Sequence, residues 1–235
     1  MSEQATTTPL TVVLVHGAFA DSSSWNGVIE RLRTDGVPVI AAANPLRGIS
    51  ADSAYVASVF EQVSGPVLAV GHSYGGAVIS NAATRARNVV GLVYVAAFAP
   101  DEGEKLGDVT PTSKDSVLGT ALVPRQYPTA SGTGTEFLID PAKARDAFAG
   151  DLTDAEAALI GTIQRPVADL AFGEPSGPPA WKTLPSWAVV ATKDRHCADI
   201  LFRHEGCYFT DCVVGLNSVN FAITNEFTAL AAVSA

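Results

Sequence analysis

The amino-acid sequence predicts an α/β protein with a mostly parallel sheet that helices cover on both faces. Five short apolar runs recur along the chain, and each is continuous instead of alternating, as strands buried on both faces require. These runs are Thr11–Val15, 37–41, 66–70, Val89–Ala97 and 187–191. Helical patterns lie between them, and strands that alternate with helices are typical of βαβ units in a parallel sheet.

The helical patterns show apolar stripes in which side chains recur every three or four residues. The first stripe consists of Trp25, Val28, Ile29 and Leu32, and the second of Tyr55, Val56, Val59, Phe60 and Val63. We expect serines 22–24 and Ser53 to cap the starts of these helices. Gly36 and Gly65 are expected to end them. A third helix is predicted over residues 77–86.

The alternation of strands and helices breaks in a long segment where glycine, proline, serine and threonine are frequent. Only two short helices are predicted there, near residues 141–149 and 154–164. We therefore expect one structural domain in which residues 1–99 and 185–235 form the core. Residues 100–184 are predicted to form a small helical lid insertion over one end of the sheet.

The composition excludes several classes of function. The chain is 47% hydrophobic and 17% charged, with a net charge of −9 and no cluster of lysine and arginine, which argues against a nucleic-acid or membrane-surface partner. The three cysteines, Cys197, Cys207 and Cys212, do not have zinc-site spacing, and a reduced, cytoplasmic setting accounts for them most simply. We expect no cofactor and no metal, and the sequence leaves the oligomeric state open.

A glycine-rich turn contains the strongest chemical signal. The run at 66–70 leads into the sequence Gly-His-Ser-Tyr-Gly-Gly, which starts at residue 71 and precedes a helical pattern. A serine on such a sharp strand-to-helix turn needs small residues two positions to either side, because a side chain there would collide with the adjacent backbone. This context predicts Ser73 as an exposed nucleophile at one end of the sheet.

A second turn follows the first apolar run, with the sequence His-Gly-Ala-Phe at residues 16–19. A turn at this place would bring the backbone N–H of Ala18 beside that of Tyr74, so that both donate to one oxygen. We expect His16 to organise this loop through hydrogen bonds instead of acting as the base. Phe19 is expected to border the substrate.

Four segments together resemble the small bacterial α/β-hydrolase group, which is related to plant methyl-ester esterases and hydroxynitrile lyases. They are the sequences at residues 16–19, 71–76, 93–98 and 191–194, and the resemblance extends over residues 11–195. It implies an α/β-hydrolase fold with Ser73 as the nucleophile, and the amides of Ala18 and Tyr74 as the oxyanion hole. It also implies Asp194 as the acid of a triad. Asp101, which lies just past the predicted strand that ends at Ala97, is the alternative acid.

The chain departs from this family pattern at the catalytic base. The pattern places a histidine in a loop beyond the acid, but Val219 stands there and no histidine follows His204. His196 lies two residues after Asp194 and is the first candidate to replace it, and His204 is the second. His72 is excluded, because a residue next to the nucleophile in this turn points away from it.

The leading hypothesis is a serine hydrolase, similar to carboxylesterases, that cleaves small apolar esters through an acyl-enzyme on Ser73. Aromatic side chains, among them Phe19, Trp25, Tyr74 and Trp181, are expected to shape an apolar pocket. One alternative is a lyase of the hydroxynitrile type, in which Ser73 relays a proton. The other is a ligand-binding protein that has lost catalysis, which Val219 at the expected base position motivates.

Overall fold

The computed structural model describes residues 8–109, 118–150, 152–191 and 211–216 of the chain. Its main sheet has six strands, and all five pairs of neighbouring strands are parallel. The strands are β1 (Thr11–Val15), β2 (Val39–Ala42), β3 (Val67–Ser73), β4 (Val89–Ala97), β8 (Ser186–Ala191) and β9 (Asp211–Leu216). Their spatial order is β2-β1-β3-β4-β8-β9. The predicted parallel α/β sheet is therefore confirmed, and β9 adds a strand that the sequence pattern did not predict.

Helices connect the strands of this sheet and continue into the insertion. They are α1 (Asn26–Thr34), α2 (Ile49–Glu61), α3 (Tyr74–Ala82), α4 (Leu106–Val109), α5 (Leu118–Ala121), α6 (Ala144–Phe148), α7 (Asp154–Ile163) and α8 (Leu170–Gly173), with 3-10 turns at Ser22–Trp25 and Ala180–Lys182. Within the ranges described above, no helix combines the length and hydropathy needed to cross a lipid bilayer.

The helices begin differently from what the local sequence suggests. Asp21, and not one of the serines after it, caps the first 3-10 turn through a hydrogen bond from the backbone N–H of Ser23. The helix α2 begins at Ile49, so Ser53 lies inside it and donates a hydrogen bond to the Val78 carbonyl. Packing against α3 therefore gives the Ser53 hydroxyl a hydrogen-bond partner, whereas the sequence alone predicts that this hydroxyl caps the helix.

The sheet separates two apolar clusters, because successive strand residues point to opposite faces. Val12 and Leu14 of β1 belong to the cluster that packs against α1, which also contains Trp25. Val13 and Val15 belong to the larger cluster beneath α2 and α3. Burial on both faces explains why the strands are continuous apolar runs.

The insertion is not only helical, which corrects the sequence-based prediction. The two predicted helices are present as α6 and α7, but β5 (Leu122–Thr129), β6 (Gly132–Ile139) and β7 (Val167–Ala168) form an antiparallel sheet beside them. Pro124 and Pro128 argue against a strand in the sequence. They are tolerated because β5 is at the edge of this sheet, where β6 is its only neighbour among the described strands.

Arg47, which precedes α2, ties the insertion to the core. Its guanidinium lies 2.7 Å from the Glu136 carboxylate on β6 and stacks 4.8 Å above the centre of the Tyr127 ring on β5. A second attachment is the hydrogen bond of 3.1 Å from the Arg165 N–H to the Phe19 carbonyl. The second attachment brings the insertion directly to the turn after β1.

We expect Leu14→Ala to lower the free energy of unfolding by about 3 kcal/mol, because Leu14 is completely buried under α1 and its loss leaves a cavity. Ile40→Ala, on the edge strand β2 where the side chain is 40% exposed, serves as the control and should cost less than about 1 kcal/mol. Urea unfolding measures both values. Equal losses would contradict the described packing of the sheet.

Candidate active site

Ser73 occupies a strained turn between the end of β3 and the start of α3. Its backbone angles are φ 49° and ψ −120°, a region that residues with a side chain rarely adopt. Such a conformation costs about 1–3 kcal/mol and persists only where the surroundings enforce it. Although serine is a favoured capping residue, the Ser73 side chain does not cap α3. Its hydroxyl is therefore not consumed by the helix that it precedes.

Close backbone packing explains the glycines around Ser73. A Cβ atom on Gly75 would lie 2.3 Å from the carbonyl oxygen of Val15, at the end of β1. Equivalent atoms on Gly71 and Gly76 would lie 2.5 Å and 2.4 Å from the carbonyl oxygens of Gly75 and Phe98. These distances are below any van der Waals contact, so the turn is possible only with glycine at these places.

The turn that follows β1 lies directly against Ser73. A Cβ atom on Gly17 would be 2.9 Å from the Ser73 Cβ and 3.1 Å from the His72 carbonyl oxygen. Phe19, two residues later, also has a positive φ of 62°. The two turns that the sequence singles out are therefore neighbours in space.

His16 organises this turn through hydrogen bonds. Its Nδ1 lies 2.9 Å from the Gly17 carbonyl oxygen, and its Nε2 accepts a hydrogen bond of 3.1 Å from the Asn44 N–H. The Asn44 side chain in turn donates to the His16 carbonyl oxygen. Since Nε2 accepts, the proton of a neutral ring is on Nδ1. Burial lowers the pKa of His16 to about 4, so this ring stays neutral at physiological pH.

The two backbone amides proposed as oxyanion donors have no hydrogen-bond acceptor among the described residues. Tyr74 is the first residue of α3, where an N–H has no acceptor within its own helix. Within the described ranges, neither the Ala18 N–H nor the Tyr74 N–H makes a hydrogen bond to another residue. No described group therefore competes with a ligand for either donor.

The Tyr74 side chain is turned into the protein instead of towards a pocket. Its ring is fully buried, and its hydroxyl donates a hydrogen bond of 2.7 Å to the Asp52 carboxylate. Asp52 lies in α2, is also completely buried, and accepts hydrogen bonds from the N–H groups of Arg47 and Gly48. Burial raises the pKa of Asp52, while these hydrogen bonds act in the opposite direction. No local sequence pattern distinguishes Asp52, and its role was not predicted.

The other aromatic side chains expected to shape the pocket, those of Phe19, Trp25 and Trp181, are buried. Phe19 is 1% exposed and meets Phe148 of α6 edge to face. Trp25 contacts the ring of His72 in the same manner, on the α1 side of the sheet. This position fits the exclusion of His72 as the base. Trp181 is buried and donates a hydrogen bond to the Pro100 carbonyl.

The catalytic acid and base that the sequence suggests are only partly within the described ranges. Asp194, His196 and His204 lie outside them, as does Val219. Asp101, the alternative acid, accepts a hydrogen bond from the Glu102 N–H and forms an ion pair with Lys182. Of the triad residues that the sequence suggests, Ser73 and the alternative acid Asp101 lie within the described ranges.

A groove of about 240 Å³ opens between the turn after β1 and helix α7. Its apolar wall includes Phe19, Leu159, Ile160 and Ile163, and its acidic groups are Asp21 and Glu156. Among the described residues no lysine or arginine lines this groove, and this described lining suits an apolar, uncharged group better than an anionic one.

Gly75→Ala should lower the free energy of unfolding by about 2–3 kcal/mol or more, because the new methyl group would overlap the Val15 carbonyl. Gly119→Ala in α5 is the matched control, since a Cβ atom there meets nothing within 4 Å. Chemical denaturation of both variants tests the expectation. A Gly75→Ala protein as stable as the control would refute the close approach of the two turns.

Stability should also decrease on acidification through His16. Between the ordinary pKa of 6.5 and the native value of about 4, the unfolded chain binds a proton that the native ring does not. The contribution of His16 to the free energy of unfolding should therefore fall with pH in this window, by at most about 1.4 kcal/mol per pH unit.

Unfolding of the wild type and of His16→Gln over this pH range isolates the contribution, which the variant should lack. Titration of the His16 ring by NMR gives the pKa in the native protein directly. Protonation of that ring near 6.5 would contradict the expectation.

Comparison with known proteins agrees with this architecture. A variant of polyneuridine aldehyde esterase is similar over 97% of this chain and 100% of its own, with 15% identity and a TM-score of 0.80. The methylesterase MES16 from Arabidopsis has 19% identity over 96% of this chain and 99% of its own, with a TM-score of 0.74. A pyrethroid hydrolase from Sphingobium faniae JZ-2 has 20% identity over 96% of both chains, with a TM-score of 0.69.

A search of curated protein sequences found no match. The model of the alpha/beta hydrolase family, by contrast, matches residues 12–214, a range that contains both turns and overlaps each described strand of the main sheet. The chain belongs to the alpha/beta hydrolase family.

Proposed function

We propose that this protein is a serine esterase that cleaves small, apolar carboxylic esters through an acyl-enzyme on Ser73. The observation that carries the proposal is the strained Ser73 backbone, with a hydroxyl that does not cap its helix and lies beside the turn at Gly17. Strain at a nucleophile is maintained where the surrounding structure enforces it for chemistry. The esterase and hydrolase names of the similar structures support the same reaction class.

The reaction begins with attack of the Ser73 oxygen on the ester carbonyl while a base removes the hydroxyl proton. The carbonyl oxygen becomes an oxyanion, and the amides of Ala18 and Tyr74 donate hydrogen bonds to it. The alcohol leaves with the proton and the acyl group remains on Ser73. Water then hydrolyses this ester, with the same base removing the proton of the water.

The base in this proposal is His196, oriented by Asp194. The chain has four histidines, and the described contacts of two of them disfavour this role. His16 is held by Gly17 and Asn44, and the ring of His72 packs against Trp25 on the opposite side of the sheet. His196 and His204 remain, and His196 is only two residues from the acid.

The described lining of the groove beside Phe19 does not include Ser73, but it starts at the residue after Ala18, and we infer that it receives one group of the substrate. Its wall on α7 is apolar, while the carboxylates of Asp21 and Glu156 would repel an anionic acyl or alcohol group. We infer that the preferred esters carry alkyl or aryl groups and no negative charge.

A fluorophosphonate probe, which reacts with activated serines, tests the proposal. The wild type should be labelled and should hydrolyse p-nitrophenyl acetate, and both activities should be lost in Ser73→Ala. The control is Ser58→Ala, since Ser58 is an exposed serine on α2 whose removal should change neither. His196→Ala should lower turnover by more than about a thousandfold, and His204→Ala should not.

The outcomes separate the parts of the proposal. A wild-type protein that is not labelled, or a Ser73→Ala variant labelled as strongly, would overturn the esterase assignment and favour a ligand-binding protein. A large loss in His204→Ala with normal turnover in His196→Ala would leave the esterase and reassign its base.

A further inference from the structure

The buried carboxylate of Asp52 has no part in the chemistry described above, although it lies close to the nucleophile turn. It is completely shielded from solvent, and it accepts hydrogen bonds from two backbone N–H groups and from the Tyr74 hydroxyl. A carboxylate buried in this way costs free energy unless its oxygens accept hydrogen bonds. The donors to Asp52 come from the segment that precedes α2 and from α3.

Tyr74 joins this carboxylate to the nucleophile turn. Its backbone N–H is one of the two proposed oxyanion donors, and its side chain extends from the same residue to α2. The ring is buried and packs 6.2 Å from the ring of Phe172, with the hydroxyl 2.7 Å from Asp52. The backbone before Tyr74 is also restrained, because the Ser73 carbonyl accepts a hydrogen bond of 3.1 Å from the Phe98 N–H. Tyr74 is therefore held through its side chain and through the residue that precedes it.

We propose that Asp52 is a positioning residue: through the Tyr74 hydroxyl it fixes the first residue of α3, so that the Tyr74 amide faces the developing oxyanion. This inference rests on the proposed esterase function. The strained turn at Ser73 needs contacts that prevent it from relaxing, and a hydrogen bond on the next residue opposes that relaxation directly. A donor that is slightly displaced stabilises the transition state less, even though the fold is intact.

Tyr94 provides the comparison that separates positioning from ordinary stabilisation. Its hydroxyl is also buried, and it forms a hydrogen bond of 2.7 Å with Ser80, which lies in the same helix as Tyr74. Ser80 is more than one turn after the start of α3, and its hydroxyl also donates to the Gly76 carbonyl. Loss of the Tyr94 hydroxyl therefore weakens the packing of α3 without freeing its first residue.

The experiment compares Tyr74→Phe with Tyr94→Phe in the full chain. Thermal unfolding, kcat and KM for p-nitrophenyl acetate, and the rate of fluorophosphonate labelling are measured for both variants and the wild type. We expect Tyr74→Phe to lower kcat about tenfold with little change in KM, because the displaced amide acts mainly in the transition state. The labelling rate should fall in parallel. Both variants should lower the melting temperature by similar amounts, but Tyr94→Phe should leave kcat unchanged.

Asp52→Asn is a second, independent variant, which also serves if Tyr74→Phe does not fold. A neutral amide is a weaker acceptor than a carboxylate, so kcat should fall in the same direction but by less. The loss of kcat in the double variant should be no larger than in Tyr74→Phe alone, because both changes act on the same hydrogen bond between Tyr74 and Asp52.

Equal kcat values in Tyr74→Phe and Tyr94→Phe, with the wild type labelled, would overturn the positioning role and leave the esterase proposal intact. Additive losses in the double variant would also overturn it. A wild-type protein that is neither labelled nor active would overturn the esterase proposal, and the positioning role with it.

Discussion

The arrangement of this site depends on one contact between backbones, where the start of α3 meets the end of β1. Gly75 approaches the Val15 carbonyl so closely that even a methyl group would overlap it. This approach brings the turn at Ser73 and the turn at Gly17 together, and it leaves Ser73 in a conformation that it would not adopt alone. The parallel sheet supplies the rigid support, since both turns leave the same end of neighbouring strands.

Two buried polar networks hold this contact from opposite sides. On the β1 side, the neutral ring of His16 and the Asn44 amide connect the turn to the segment after β2. On the α3 side, the Asp52 carboxylate accepts a hydrogen bond from the Tyr74 hydroxyl and so connects the turn at Ser73 to the start of α2. Buried polar groups are costly when unpaired, so each network favours one arrangement of its turn over all others. The Arg47 backbone joins the second network, and its side chain holds the insertion at Glu136.

Sequence and structure agree for several elements whose signal lies in adjacent residues, although the caps of the first helices differ from those predicted. The bounds of β1 and β4 coincide with their predicted apolar runs, and α6 and α7 fall within the predicted helical segments. The hairpin of β5 and β6 was missed because Pro124 and Pro128 argue against a strand, and only its place at a sheet edge makes them acceptable. The Tyr74 side chain was expected near the pocket, but the partner that draws it inward is 22 residues away in the sequence.

The sequence by itself determined the α/β class, the identity of the candidate nucleophile and the glycines that its turn requires, because periodicity and close backbone approach are encoded by neighbouring residues. Only the tertiary structure decided which side chains support that turn. The contacts of Asp52 with Tyr74 and of Arg47 with Glu136 join elements distant in sequence, and they exist because α2, α3 and the insertion pack in one particular way. Their hydrogen bonds depend on that packing and leave no pattern in the local sequence.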